Sequence, residues 1–277
     1  MGDEVLSNET PEGEAQRNIL LAGSSAACPL VSVITVVLNG RPFIAQCVES
    51  VLRQDYPNIE HIVFDGGSTD GTIDVLREFN DRIAFWRSEP DCGVYDAWNK
   101  GLREARGEWI CFLGADDEFL PGALSSYMAF AANNPQAEYI SSKIKWVHPS
   151  GYERILGGPW TWARFSKFMC TAHVGSMHRR SLFDRLGVYN TSYRIVADYE
   201  LLLRARQHLK AAYMPITTVM MRAGGISDSS AALEEAARAK VKTGGRNPLL
   251  ARMEFGVANV KFALHSLRRV FTRSATR

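Results

Sequence analysis

The sequence predicts an α/β fold with a mostly parallel central sheet flanked by helices and a helical C-terminal extension. Two observations predict it: β-branched apolar runs of strand length, and intervening stretches whose apolar residues share one helical face. A third is that acidic or glycine-rich segments directly follow several of the runs. In such folds these positions form the ligand-binding edge of the sheet.

The elements follow in order. Val31–Leu38 reads as a buried strand, and "NGRPFIAQCVESVLRQ" as a helix with Pro42 near its start and Phe43, Cys47, Val48, Val51 and Leu52 on one face. Ile59–Phe64 is a second strand, and Asp70 is placed to cap a helix carrying Ile73, Val75, Leu76 and Phe79. Ile83–Trp86 reads as a third strand, Val94–Arg106 as a helix stopped by Gly107, and Trp109–Leu113 as a fourth strand. After Pro121 a helix through Phe130 leads to two extended segments joined at Pro149-Ser150-Gly151, a hairpin signal. Helices near 178–187 and 197–208 precede an extended run over 211–222, and the chain from about Ala231 is helical in composition.

With 277 residues, 46% hydrophobic and 22% charged, the chain has an ordinary globular composition, and a net charge of +2 excludes wholesale nucleic-acid binding. The charge is unevenly spread. Residues 1–28 carry Asp3, Glu4, Glu9, Glu12 and Glu14 against Arg17 and read as a disordered tail; 250–277 carry Arg252, Lys261, Arg268, Arg269, Arg273 and Arg277 against Glu254. Five cysteines without a C-x-x-C pair suit reduced thiols, and the sequence shows neither a membrane span nor a secretory signal; the expected location is cytoplasmic. The domain reading is a tail over 1–28, the α/β domain over 29–228, and a basic amphipathic extension over 229–277. In the extension Leu250, Met253, Val257, Val260, Leu264, Leu267 and Phe271 recur at helical spacing. That helix either lies on an anionic membrane surface, which makes the protein peripheral on the inner face, or docks on the domain itself.

Three acidic clusters follow the strands. Asp65 opens "DGGSTDGT", Glu89 and Asp91 lie in "SEPDCGVYDAWNKG", and Asp116-Asp117 ends "GADD". Any one of them is explained by helix capping; three at one sheet edge indicate a site. Hard carboxylate oxygens suit Mg²⁺ or Mn²⁺ shared with a diphosphate. Neither a P-loop nor a G-x-G-x-x-G motif is present to cradle the phosphates instead.

The segments "VSVITVVLNGRPFIAQCVESVLRQDYPNIEHIVFDGGSTDGT", "EPDCGVYDAWNKG", "GEWICFLGADDEF" and "YRIVADYELLLR" together resemble glycosyltransferase family 2 on a GT-A fold, over about residues 31 to 222 and in that family's order. The resemblance is closest to members that build exopolysaccharide or capsule repeat units. It implies an inverting glycosyltransferase that moves a sugar from a nucleotide-diphosphate donor, by default a UDP-sugar, to a saccharide acceptor carried on a lipid. It further implies that Asp65 meets the nucleotide base, with Thr35 and Asn39 lining the nucleoside pocket. Asp91, Asp96, Asn99 and Lys100 would flank nucleotide and sugar. Asp116 would bind the divalent cation and Asp117 neighbour it, although Gly114 stands where the D-x-D-type motif has its first acid. Asp198 falls at the catalytic base, with Glu200 in reserve; from spacing alone Asp198 reads as a helix cap. His173 falls at the acceptor side and touches diphosphate or metal, or makes a structural hydrogen bond; for His178 the structural bond is the simpler reading. Arg179 and Arg180 read as a solvated pair, and Trp160, Trp162 and Phe165 as core or as a sugar platform. Two competing readings are a nucleotidyltransferase, which the single glycine and single arginine of "VLNGRPF" disfavour, and a non-catalytic binding protein, which only Gly114 favours.

Overall fold

Strand β1 (Val31–Val37) lies between β2 (Ile59–Asp65) and β4 (Trp109–Gly114), parallel to both, with β3 (Phe85–Ser88) parallel to β2 at the edge. The computed structural model describes residues 28–225 and 229–260. Nearly all of the expected tail, and Leu264, Leu267 and Phe271 of the extension, lie outside these residues. From β1 the chain moves outward to β3 and then returns to β4 on the opposite side of β1. This reversal is a topological switch point, beyond which ligands bind in open α/β sheets. The helices between these strands are α1 (Ile44–Leu52), α2 (Thr72–Glu78) and α3 (Val94–Glu104).

Beyond β4 the sheet becomes mixed. β8 (Ser176–Arg179) enters antiparallel to β4 and to β6 (Tyr139–Val147), and β9 (Ala211–Arg222) runs parallel to β6. β5 (Glu118–Phe119) closes the edge on β9, and β7 (Glu153–Leu156) forms the expected hairpin with β6. The remaining helices are α4 (Ala123–Ala132), α5 (Trp162–Phe165), α6 (Arg180–Leu186), α7 (Ala197–Ala205), α8 (Ser230–Lys242) and α9 (248–260).

Strand alternation divides the core into layers. Ile34, Ile110 and Phe112 face α3, α6, α7 and α8, whereas Val31, Val33, Cys111 and Leu113 face the layer containing α4. Each such buried side chain contributes about 1.5–3 kcal/mol on leaving water. α8 joins the first layer through Ala232 and Ala239.

Three expected boundaries move. β3 starts two residues later than the pattern suggests. Residues Ser176–Arg179 form β8, so the helix expected near 178 starts at Arg180. Asp70 does not cap α2: that position is Gly71, in the left-handed region. Asp70 instead accepts from the Thr72 amide and hydroxyl and from the Arg41 amide, tying two loops together.

Candidate active site

The site begins where β1, β2, β3 and β4 end together. Val37 pairs with Asp65, Asp65 with Ser88, and Val36 with Gly114. Adjacent strands are spaced by about 4.8 Å, so the ends of β2 and β4 stand about 10 Å apart across β1.

Asp65 is buried, and its two oxygens differ. Oδ2 accepts from the amides of Gly67 and Ser68, both at 2.9 Å, and from Ser88 Oγ at 2.6 Å. Oδ1 is equally shielded and has no hydrogen-bond partner. A buried acceptor left unpaired costs about 1–3 kcal/mol, so this oxygen suits a donor from outside the chain. Asn39, at φ +52, fixes the neighbouring loop: its amide donates to Ser68 Oγ and its Oδ1 accepts from the Thr69 amide. The 89–93 loop closes over Gly66, where a Cβ would lie 2.5 Å from Asp91 Oδ2. Asp91 Oδ1 accepts from the Gly93 amide.

The structure gives several expected contacts other duties. Thr35 is corrected: it is fully buried inside β1, and its hydroxyl faces His61 and Cys47 because strand alternation turns it to the core. Asn99 is also withdrawn from the nucleotide, since its amide group donates to the Tyr189 carbonyl and accepts from the Tyr189 amide, both at 2.9 Å. Lys100 is spent on the Pro90 carbonyl and Glu89, and Asp96 accepts from the Cys92 amide; both brace the loop that carries Asp91.

At the end of β4, Asp117 is buried and folds back over Gly114. A Cβ at 114 would lie 2.7 Å from Asp117 Oδ2 and 3.1 Å from Asp116 Oδ1, which gives Gly114 a steric reason. Asp117 Oδ1 accepts from the Arg222 amide. Burial, with the Asp116 charge adding to it, pushes the Asp117 carboxyl up to about 7. Two crowded carboxylates are the hard, negative donor set that a divalent cation relieves, so Asp116 and Asp117 fit Mg²⁺ or Mn²⁺ shared with phosphate oxygens. Among the described residues no group of three His, Cys, Asp or Glu side chains forms a metal site.

Asp198 stands in the first turn of α7. Asp198 lies inside the helix and not at the cap position that spacing suggests; the cap position is Val196. Glu235 of α8 accepts from the amides of Arg194 (2.9 Å), Ile195 (2.8 Å) and Val196 (3.3 Å), while Val196 at the cap position has no side-chain cap. Asp198 Oδ1 accepts from the Tyr95 hydroxyl at 2.9 Å, a hydroxyl that it shares with the Ile195 carbonyl at 2.7 Å. Burial pushes its pKa up to about 6, against the opposing pull of the Tyr95 hydrogen bond. Its reserve, Glu200, is locked to Arg204 and Thr243. Asp198 also lines a cavity of about 810 Å³ between α7, α8 and α9.

His173 packs against Trp98 and Phe112, and its Nε2 lies 3.1 Å from the Tyr189 hydroxyl. Burial pushes its pKa down to about 3, so the ring is neutral and offers a diphosphate no charge. His178 is buried beside it. Arg179 stacks on Trp109 and Arg180 donates to the Gly107 carbonyl, both structural. Trp160 and Trp162 pack on the core around Phe165.

The structure thus brings Asp65, Asn39, Asp91, Asp116 and Asp117 to one sheet edge. Asp198 is joined to α3, the helix that follows the 89–93 loop, through Tyr95. Sequence reasoning missed Tyr95, Ser68, Ser88, Glu235 and Arg222. Only the two serines carried a signal, through closeness to Asp65 or to the strand end.

A family model described as Glycosyl transferase family 2 matches residues 32–183. A "PGL/p-HBAD biosynthesis glycosyltransferase" of Mycobacterium bovis (strain BCG / Pasteur 1173P2) is 31% identical over 218 residues, covering 73% of this chain and 81% of that protein. Among solved structures, S. aureus TarS 1-349 in complex with UDP-GlcNAc superposes with a TM-score of 0.63 at 17% identity, covering 82% of this chain and 70% of that one. Mannosyltransferase PcManGT from Pyrobaculum calidifontis, in complex with GDP-Man and Mn2+, gives 0.62 at 21% identity, covering 89% and 75%. The last two likenesses are of fold. The sheet, flanked by helices, is that of the GT-A structures.

Proposed function

The chain belongs to glycosyl transferase family 2, and on that premise we propose that it moves a sugar from a nucleotide-diphosphate donor to a hydroxyl of a lipid-carried saccharide acceptor, inverting the anomeric centre, in polysaccharide biosynthesis. Residues 29–228 carry the donor chemistry, and 229–277 serve the acceptor side and the inner membrane surface. In support of the last point, Leu249, Met253, Val257 and Val260 of α9 are exposed apolar side chains.

The observation that carries the reading is the unpartnered, buried Asp65 Oδ1 at the switch-point edge. An N–H of a nucleotide base, uracil by default, supplies the missing donor, and the Asn39 and Asp91 loops hold the walls of that pocket. A divalent cation held by Asp116, with Asp117 beside it and the donor's diphosphate completing its shell, would stabilise the departing diphosphate. Asp198 takes the acceptor hydroxyl proton as that oxygen attacks the anomeric carbon and the nucleotide diphosphate leaves. With a pKa of about 6 the carboxylate is ionised near neutrality, yet basic enough to accept the proton.

Thermal shift with UDP, GDP and dTDP, each with and without Mn²⁺, tests the donor site. One nucleotide should stabilise the wild type in a Mn²⁺-dependent way, and Asp65→Ala should abolish the shift. An equal shift in Asp65→Ala would reject the pocket.

A further inference from the structure

The cavity beside Asp198 has an unusual wall for an enzyme acting on sugars. Met169, Val196, Leu233, Ala236, Leu250 and Val257 line it, contributed by the loop after α5, the turn before α7, and helices α8 and α9. Two of its charged lining residues, Lys240 and Glu254, are paired with each other. Lys240 Nζ donates to the Lys167 carbonyl and to Glu254 Oε2, both at 3.1 Å, and Glu254 is paired again by Arg246. A cavity of this size and character accommodates an apolar molecule of drug-like bulk. At its rim Leu250 and Val257 are 46% and 56% exposed, so it opens to the outside through an apolar mouth. Asp198 is the lining carboxylate outside this ion-pair cluster, and its Oδ1 is turned to Tyr95.

We propose that this cavity is the subsite for the aliphatic chain of a lipid acceptor, which enters between α8 and α9 and delivers its hydroxyl-bearing head to Asp198. The inference rests on the reading of Asp198 as base and extends it: the acceptor is selected by its hydrocarbon portion as well as by its sugar. The continuity of apolar wall and carboxylate favours this occupant. A chain lying in the cavity has its polar end at the one place where a proton is to be removed.

The test uses the full chain and a series of n-alkyl β-D-glucosides from methyl to dodecyl, below their micellar concentrations, with binding followed by calorimetry. Each methylene that enters the cavity should tighten binding by about fourfold, giving at least about tenfold between hexyl and decyl. Ala236→Trp on α8 and Ala258→Trp on α9 fill the cavity from opposite walls, and either, once shown to be folded by circular dichroism, should erase the chain-length gain. Both should keep the nucleotide-induced thermal shift. Asp198→Ala should weaken every member by about tenfold, through loss of a hydrogen bond to a charged group, without changing the chain-length slope. Affinity independent of chain length, or an unaltered gain in both folded tryptophan variants, overturns the proposal. So does unchanged affinity in Asp198→Ala, which would mean the chain binds away from the base. A chain-length effect with no nucleotide response in any protein leaves the subsite standing and counts against the Asp65 pocket instead.

Discussion

The edge around Asp65 and the pocket around Asp198 are built in opposite ways. Asp65 is held by amides two and three residues further on and by Ser88 on the adjoining strand. Asp198 is held by Tyr95, 103 positions away, and its helix start is secured by Glu235 about 40 positions downstream. The first region is a device of neighbouring strand ends, held chiefly by the loop that follows Asp65. The second exists only after α3, α7 and α8 have packed. Substitutions should therefore act locally at the first and propagate through packing at the second.

The sharpest test of the division is Asp198→Asn, which keeps volume but removes the carboxylate proposed as base. It should lower kcat by about 10²- to 10⁴-fold in steady-state assays while donor affinity is unchanged. Wild-type turnover would place the base elsewhere. At the local edge, Asp65→Ala should weaken nucleotide binding by about ten- to a hundredfold, measured by calorimetry, since hydrogen bonds to charged groups contribute about 1.5–3 kcal/mol. It should leave unfolding by urea nearly cooperative and unshifted in slope.

Glu235→Ala probes the packed region without touching a reacting group. Three backbone amides lose their acceptor, at a cost of about 1–3 kcal/mol or more, so the urea midpoint should fall. The rate should fall with it at constant donor KM, because α7 no longer holds Asp198 in place. A rate loss without a stability loss would show that Glu235 acts by some other route. The smallest effect belongs to Tyr95→Phe. Its hydroxyl pulls the Asp198 carboxyl down against the burial that raises it to about 6, so its removal should move the rise of activity with pH to higher pH than in the wild type. The variant should be most impaired below about pH 6 and least impaired above it. The sign for stability is opposite to that for activity. A carboxyl whose pKa is raised on folding stabilises the fold most below its unfolded value of 3.8, and that contribution is lost as pH rises through about 6.

The same contrast explains what was legible in the sequence. Strand and helix identity over residues 31–113 followed from period, and the positions of Asp65, Asn39, Asp91 and Asp116 at or just past strand ends followed from motif order. Thr35 misled because it precedes the end of β1 by two residues and alternation turns it inward. Asn99 misled because an amide buried at helical spacing gives no sign of the backbone it will grip, here Tyr189. Tyr95 and Glu235 carried no signal at all, since each owes its role to a partner brought near only by packing. The start of β8 was hidden by basic residues, His178, Arg179 and Arg180, which suit a helix start as well as a strand.

Gly114 changes how the letters of its motif are to be understood. In this backbone an acid at 114 and a buried carboxylate at 117 compete for one volume, because the first Cβ would intrude on the second side chain's oxygen. The clash is with the end of a side chain and not with backbone, so restoring the familiar letter by Gly114→Asp should evict Asp117 and release the Arg222 amide it holds. A lower melting temperature for that variant would mark the eviction, and an unchanged one would show that the loop has room for both.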